Sequence, residues 1–125
     1  MIQISEAEAV VMDVLWDRAP RSAEDVVAAL AGRDWAEATI KTLLNRLLTK
    51  GAVSAERDGR RYLYRPLLQR HAWVAEQSQD FLGRVFEGRV APLVAHFSQH
   101  GQLSAQDIAE LKALIQGLAE PGADQ

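Results

Sequence analysis

Residues 34–66 read DWAEATIKTLLNRLLTKGAVSAERDGRRYLYRP, and this stretch decides the fold. Ile40, Leu43, Leu44 and Leu47 recur at the helical period and make one apolar face. At 100° per residue, Lys41, Thr42, Asn45, Arg46 and Thr49 fall on the other side. That side carries hydrogen-bond donors and cations and no acid. Gly51 closes the helix, because glycine accepts the left-handed conformation that helix ends often need. Two alternating segments follow, 53–57 and 60–65, joined by Asp58-Gly59, a strong hairpin signal. The hairpin carries Arg57, Arg60, Arg61 and Arg65 with Tyr62 and Tyr64. A donor-rich helix running into an arginine-bearing hairpin is what a winged helix-turn-helix needs. The helix enters a major groove of double-stranded DNA and the hairpin reaches the adjacent backbone. Lys41, Thr42, Asn45 and Arg46 are then the candidate contacts on the helix, and Arg57, Arg60 and Arg61 those on the wing.

The charge distribution supports this. The chain as a whole has a net charge of −3, the wrong sign for a nucleic-acid binder. Residues 1–40 hold three arginines against eight acids, residues 41–66 seven cations against two acids, and residues 67–125 four cations against seven acids. The positive excess is therefore confined to the helix and hairpin, where a bound polyanion needs it. There are no cysteines, which excludes a disulfide framework, thiolate metal sites and a cysteine nucleophile. The first residues lack the basic start of a secretory signal, and no apolar run approaches the roughly 20 residues of a membrane span. The expectation is a cytoplasmic protein with no membrane insertion.

Upstream, Ser5-Glu6-Ala7-Glu8 is a capping box that starts a helix over 6–17. Val11, Val14 and Leu15 form its inward stripe, widened by Met12 and Trp16, and Ala19-Pro20 ends it. Arg21 suits a very short strand. Ser22 with Asp25 starts a second helix, which buries Ala23, Val26, Val27 and Leu30 and closes at Gly32. Asp34 with Glu37 offers a similar cap for the third helix, with Ala36 as another candidate first residue. Trp35 is expected to pack near the turn before that helix. Tyr62 and Tyr64 share one strand face and Leu63 points the other way, so the tyrosine face packs on the helices. Tyr62 alone is a candidate phosphate contact. Arg60 and Arg61 fall on opposite faces, so one of them points at DNA.

Pro66-Leu67 marks a boundary between a winged-helix DNA-binding domain, 1–66, and a helical domain, 67–125. A long helix is expected over 68–87, with Val74, Phe81, Leu82, Val85 and Phe86 apolar, and Gly88 interrupts. A short helix over 89–98 tolerates Pro92 in its first turn and carries Leu93, Val94 and Phe97. Ser104 with Asp107 caps a last helix striped by Ile108, Leu111, Leu114, Ile115 and Leu118, and Glu120-Pro121-Gly122 stops it. Three helices cannot bury all this apolar surface on one another. Val74, Phe81, Leu82, Val85, Phe86, Phe97, Ile108, Leu111, Ile115 and Leu118 are the candidate dimer interface. A symmetric homodimer also places two reading helices on the two half-sites of a palindrome. The fold class expected is mainly α with a small β-hairpin wing, a winged helix-turn-helix followed by a helical dimerisation domain.

The segments EAVVMDVLW at 8–16, ATIKTLLNRL at 38–47 and GRRYLYRP at 59–66 are together specific. They resemble the first helix, recognition helix and wing of the BlaI/MecI/CopY penicillinase-repressor family. The resemblance covers nearly the whole chain. It implies a homodimeric repressor on a palindromic operator of the TACA/TGTA type, with genes of β-lactam resistance as candidate targets. It implies that Thr39, Lys41 and Thr42 face bases and phosphates. In the β-lactam-responsive branch of that family repression is relieved by a membrane-bound sensor protease cutting an Asn-Phe bond; the aligned pair here is His96-Phe97, which keeps the phenylalanine and not the asparagine and is the candidate cleavage site. The cysteine motifs of the copper-responsive branch are absent, and Ala9 stands where an aromatic is common.

Two other classes compete. A metal- or ligand-responsive winged-helix regulator, not controlled by proteolysis, would use His96 and His100, which are four apart, with a third ligand from elsewhere. An interaction module would use the winged helix to bind protein. No metal site or cofactor is assigned. An enzyme is disfavoured, because the chain has no glycine-rich phosphate loop and its three histidines match no catalytic spacing.

Overall fold

The computed structural model describes residues 2–119. They form two compact units, the first running to Glu76 and the second starting at Gln77. The first contains α1 (Glu6–Asp17), β1 (Arg21–Ser22), α2 (Ala23–Ala29), α3 (Glu37–Lys50), β2 (Val53–Asp58) and β3 (Arg61–Pro66), followed by the opening turns of α4 (Arg70–Val85). This is the element order of a winged helix-turn-helix, with the mainly α character and small sheet that the sequence implies.

Reciprocal caps start the first two helices. Ser5 N–H donates to Glu8 Oε1 at 2.7 Å, and Glu8 N–H donates to Ser5 Oγ at 3.1 Å. Ser22 and Asp25 repeat the pattern at 3.0 and 3.1 Å, and those bonds hold the Asp25 carboxyl below its usual range. Ser22 ends β1 and caps α2 at once, which is why β1 is only two residues long. The end of α2 differs from the expectation. It stops at Ala29 rather than at Gly32, because the chain tightens into i→i−3 bonds from Leu30 to Val27, Ala31 to Ala28 and Arg33 to Leu30. Gly32 is not left-handed and plays no capping role. Asp34 does not cap α3 either. The cap residue is Ala36, which has no side-chain acceptor, and the third helical position is then Thr39 rather than an acid.

Gly51 ends α3 at φ +79°, with Ala52 N–H returning to Leu47 O at 2.9 Å. The core gathers Val11, Met12 and Leu15 from α1, Val26 and Leu30 from the second helical segment, Ile40, Leu43, Leu44 and Leu47 from α3, and Ala52 and Val53 beyond it. Trp35 and Tyr64 pack against its edge. The sheet order is β1-β3-β2, all antiparallel, with Arg21 opposite Tyr64 and Val53 opposite Pro66. Asp58 pairs with Arg61, so the turn is Gly59-Arg60, one residue later than expected. Gly59 supplies φ +66° and Arg60 a negative φ, the sign pattern of a II′ turn. Arg60 therefore sits at the tip rather than on a strand face.

The first unit continues past Pro66 for a physical reason. Leu67 and Leu68 N–H groups both donate to Ala52 O, and Trp16 Nε1 donates to Leu68 O at 2.8 Å. Trp73 of α4 then stacks on Trp16 with ring centroids 5.4 Å apart. These bonds also delay the start of α4 to Arg70, two residues after the expected Leu68.

In the second unit α4 ends at Val85, where Glu87 and Gly88 turn left-handed and Gly88 N–H donates to Leu82 O. α5 (Val90–Gln99) follows, with Pro92 in its first turn, and then α6 (Ala105–Ala119). Ser104 and Asp107 exchange the two bonds of a capping box at 3.1 and 3.0 Å. The stop expected at Glu120-Pro121-Gly122 lies outside the described residues. No described helix is long and apolar enough to cross a membrane.

Candidate nucleic-acid interface

α3 presents Thr39, Lys41, Thr42, Asn45, Arg46 and Thr49 to solvent while Ile40, Leu43, Leu44 and Leu47 are buried beneath them. The helix is held by its apolar side, so the polar side is free to meet a partner. Glu37, in the first turn, is the one acid of this helix, and its carboxylate lies 3.7 Å from Lys41 Nζ. Thr42 Oγ1 donates to Ala38 O at 2.9 Å. Its hydroxyl proton is thereby engaged, and the oxygen is left as an acceptor. Thr42, Asn45, Arg46, Thr49 and Lys50 border one shallow depression along the helix. Every side chain around it can donate or accept a hydrogen bond.

The wing is held in shape by its own polar groups. Arg61 donates through Nε and Nη2 to Asp58 Oδ2, both at 3.3 Å, and closes the hairpin. Arg57 Nε donates to Gly59 O at 3.1 Å, which keeps that side chain beside the turn. Both guanidiniums keep further donors for a phosphate. Among the described residues, Arg46, Arg60 and Arg65 form no ion pair. Tyr62, opposite Arg57, is half exposed, whereas Tyr64 is drawn against the core. Burial along β3 therefore falls from Tyr64 to Tyr62, toward the hairpin tip. Trp35 packs on the core edge, with the Arg33 guanidinium 5.2 Å from its ring centroid.

Thr39, Lys41, Thr42, Asn45 and Arg46 thus lie on one exposed helix side, and Arg57, Arg60, Arg61 and Tyr62 on the hairpin that follows it. Thr49 and Arg65 are equally exposed and join the surface; both were legible in the sequence from the helical wheel and the charge count. A third feature was not legible. Lys50, last residue of α3, turns to Glu8 of α1, with Nζ 2.6 Å from Oε1. Glu8 is buried, which pushes its carboxyl upward. The hydrogen bonds from Lys50 and Ser5 and the Lys50 charge outweigh that, and the group is held below its usual range. In the sequence Glu8 is fully accounted for by its capping role, and nothing local marks a partner 42 residues away.

In the second unit, Phe81, Val85, Phe97, Ile108, Ile115 and Leu118 are exposed, and Leu82, Phe86 and Leu111 are half buried. Val90 and Leu114 are exposed as well. Val74 is half buried and belongs to the first unit. His96 and Phe97 sit inside α5, their rings edge-on at 5.8 Å, with their carbonyls bonded to His100 N–H and Gln102 N–H. The His96 and His100 rings lie 4.4 Å apart, and His100 Nδ1 is 2.9 Å from His96 O. Among the described residues no three His, Cys, Asp or Glu side chains gather as a metal set.

Comparison with known proteins gives a consistent picture. A family model described as penicillinase repressor matches residues 4–117. A penicillinase repressor of Bacillus licheniformis is 33% identical over 115 residues, which is 91% of this chain and 90% of that protein. The methicillin resistance regulatory protein MecI of Mammaliicoccus sciuri is 31% identical over 114 residues, covering 90% of this chain and 93% of that one. Among solved structures, the DNA-binding domain of the repressor BlaI superposes with a TM-score of 0.51 at 36% identity, over 55% of this chain and 85% of that domain.

Proposed function

Because this chain belongs to the penicillinase repressor family, a family of DNA-binding transcriptional repressors, we propose that it acts as a homodimer on a palindromic operator of the TACA/TGTA type. Residues 1–66 read the operator and residues 67–125 hold the dimer. The observation that carries the reading is the exposed side of α3, without an acid beyond its first turn, running directly into an arginine-bearing wing. Thr39, Lys41, Thr42 and Asn45 meet base edges and nearby phosphates, and Arg46, Arg57, Arg60, Arg61 and Tyr62 meet the backbone. The apolar side chains exposed in the second unit support the dimer, and genes of β-lactam resistance are the proposed targets.

Release of repression is assigned to cleavage at His96-Phe97 by a membrane-bound sensor protease. Both residues are hydrogen-bonded within or beside a helix, so cutting requires α5 to open locally first.

Unbiased selection of bound DNA by the purified protein tests the proposal. An enriched inverted repeat, bound with a steep salt dependence, is the expected result. On that DNA, Lys41→Ala costs specific affinity about 1–3 kcal/mol and non-specific affinity less, whereas Arg60→Ala weakens both. Enrichment of no repeat, or equal losses on all sequences from the Lys41 change, overturns the assignment.

A further inference from the structure

Lys50 reads in the sequence as one more cation of the basic stretch, and it borders the same depression as Thr42, Asn45, Arg46 and Thr49. Its ammonium is nevertheless engaged elsewhere. Nζ lies 2.6 Å from Glu8 Oε1 and 3.0 Å from Gln3 O. Resting on the DNA-binding reading above, we propose that Lys50 is a positioning residue for operator recognition: it anchors the last turn of the reading helix to the buried Glu8 and makes no phosphate contact.

Three observations support this. Glu8 is 1% exposed, and its Oε2 has no hydrogen-bond partner among the described residues. Moving the ammonium out to a phosphate would strand that carboxylate in the interior, a strongly unfavourable outcome. Secondly, one oxygen joins two helix ends. Glu8 Oε1 accepts from Ser5 N–H in the cap of α1 and from Lys50 in the last turn of α3. Thirdly, Lys50 stands one helical turn beyond Arg46 and next to Thr49. An anchor at this point fixes the rotation and height of α3 on α1, and with them the direction of the exposed side chains. The apolar contacts of Leu43, Leu44 and Leu47 are non-directional and leave small shifts cheap. A charged hydrogen bond of defined geometry does not.

The test uses the full chain on DNA selected by the wild type and on unrelated DNA, over a range of salt. The variants are Lys50→Met, Lys50→Arg and the double change Glu8→Gln with Lys50→Met. Tryptophan fluorescence defines a temperature at which each is folded. If wild type itself binds without a salt slope, the DNA-binding reading fails; the positioning role is judged only from differences among variants.

Lys50→Met is expected to lower affinity for selected DNA about tenfold, the size of one lost base contact, with a smaller loss on unrelated DNA. Its salt slope should match wild type. Lys50→Arg should recover most of the specificity, because it keeps a charged hydrogen bond to Glu8; the double variant leaves no unpaired carboxylate but lacks the anchor, so it should fold and keep the loss of specificity. If Lys50→Met does not fold, the double variant carries the same comparison of slope and specificity. A slope shallower by about 0.9 per protomer in the single and double variants, with equal losses on all DNA, would make Lys50 a phosphate contact and overturn the proposal. So would unchanged binding by Lys50→Met.

Discussion

The two units use the same local chemistry and reach opposite outcomes. Ser5, Ser22 and Ser104 each start a helix with a reciprocal serine–carboxylate cap, and each of the two units has helices with an apolar stripe. In the first unit that stripe disappears into a core: Met12, Val26 and Leu47 are 0% exposed. In the second, no described side chain of α5 or α6 is buried, and Leu118 is 77% exposed. An apolar stripe therefore specifies a helix without specifying what covers it. The first unit contains its own complement, because two helices and a sheet enclose α3 on its apolar side. The second unit presents its stripe outward, and in the proposed dimer the second copy is its complement.

This contrast is testable because all three tryptophans, at 16, 35 and 73, lie in the first unit. Tryptophan fluorescence follows that unit alone, while far-ultraviolet circular dichroism follows both. The largest effect is expected from Leu47→Ala, which empties a fully buried site. Denaturant unfolding followed by fluorescence should lose about 2–5 kcal/mol of stability. A loss under 1 kcal/mol would mean that the first unit is not the self-contained body its burial implies.

Ile115→Asp should act in the other unit and through association. Sedimentation equilibrium should show self-association weakened roughly tenfold to a hundredfold, the value of one apolar side chain replaced by a charge at an interface. The fluorescence midpoint measured at low protein concentration should stay where it was. Unchanged self-association would remove α6 from the proposed interface.

The smallest effect is acid sensitivity. Burial raises the Glu8 carboxyl, but the Lys50 and Ser5 hydrogen bonds and the Lys50 charge bring it below its usual range. A carboxyl depressed on folding stabilises fully above the unfolded carboxylate value, and that stability is lost as pH falls through the folded value. Thermal midpoints by fluorescence should therefore decline from the ordinary carboxylate range downward, and Glu8→Gln should flatten that decline. An acid decline of undiminished steepness in Glu8→Gln would place the sensitivity on another group.

Sequence alone determined the parts whose causes are local. Helix periodicity placed α1, α3 and α6, serine–carboxylate spacing placed their starts or those of their neighbours, and glycine placed the end of α3. The cations of the wing and the polar side of α3 could be named because amphipathic spacing is a property of one element. Where local signals were ambiguous, tertiary structure chose. Asp34 and Gly32 carry plausible capping chemistry, yet burial of Leu30 and the extended conformation of Ala36 set the actual ends. The Gly59-Arg60 turn was fixed by cross-strand register and the Asp58–Arg61 contact. Only the folded chain could join Glu8 to Lys50 or Trp16 to Trp73. Such pairs span more than 40 residues, and no periodicity encodes them; they form because packing α1 against α3 and against the opening turn of α4 brings the groups into one place, where burial makes a missing partner costly.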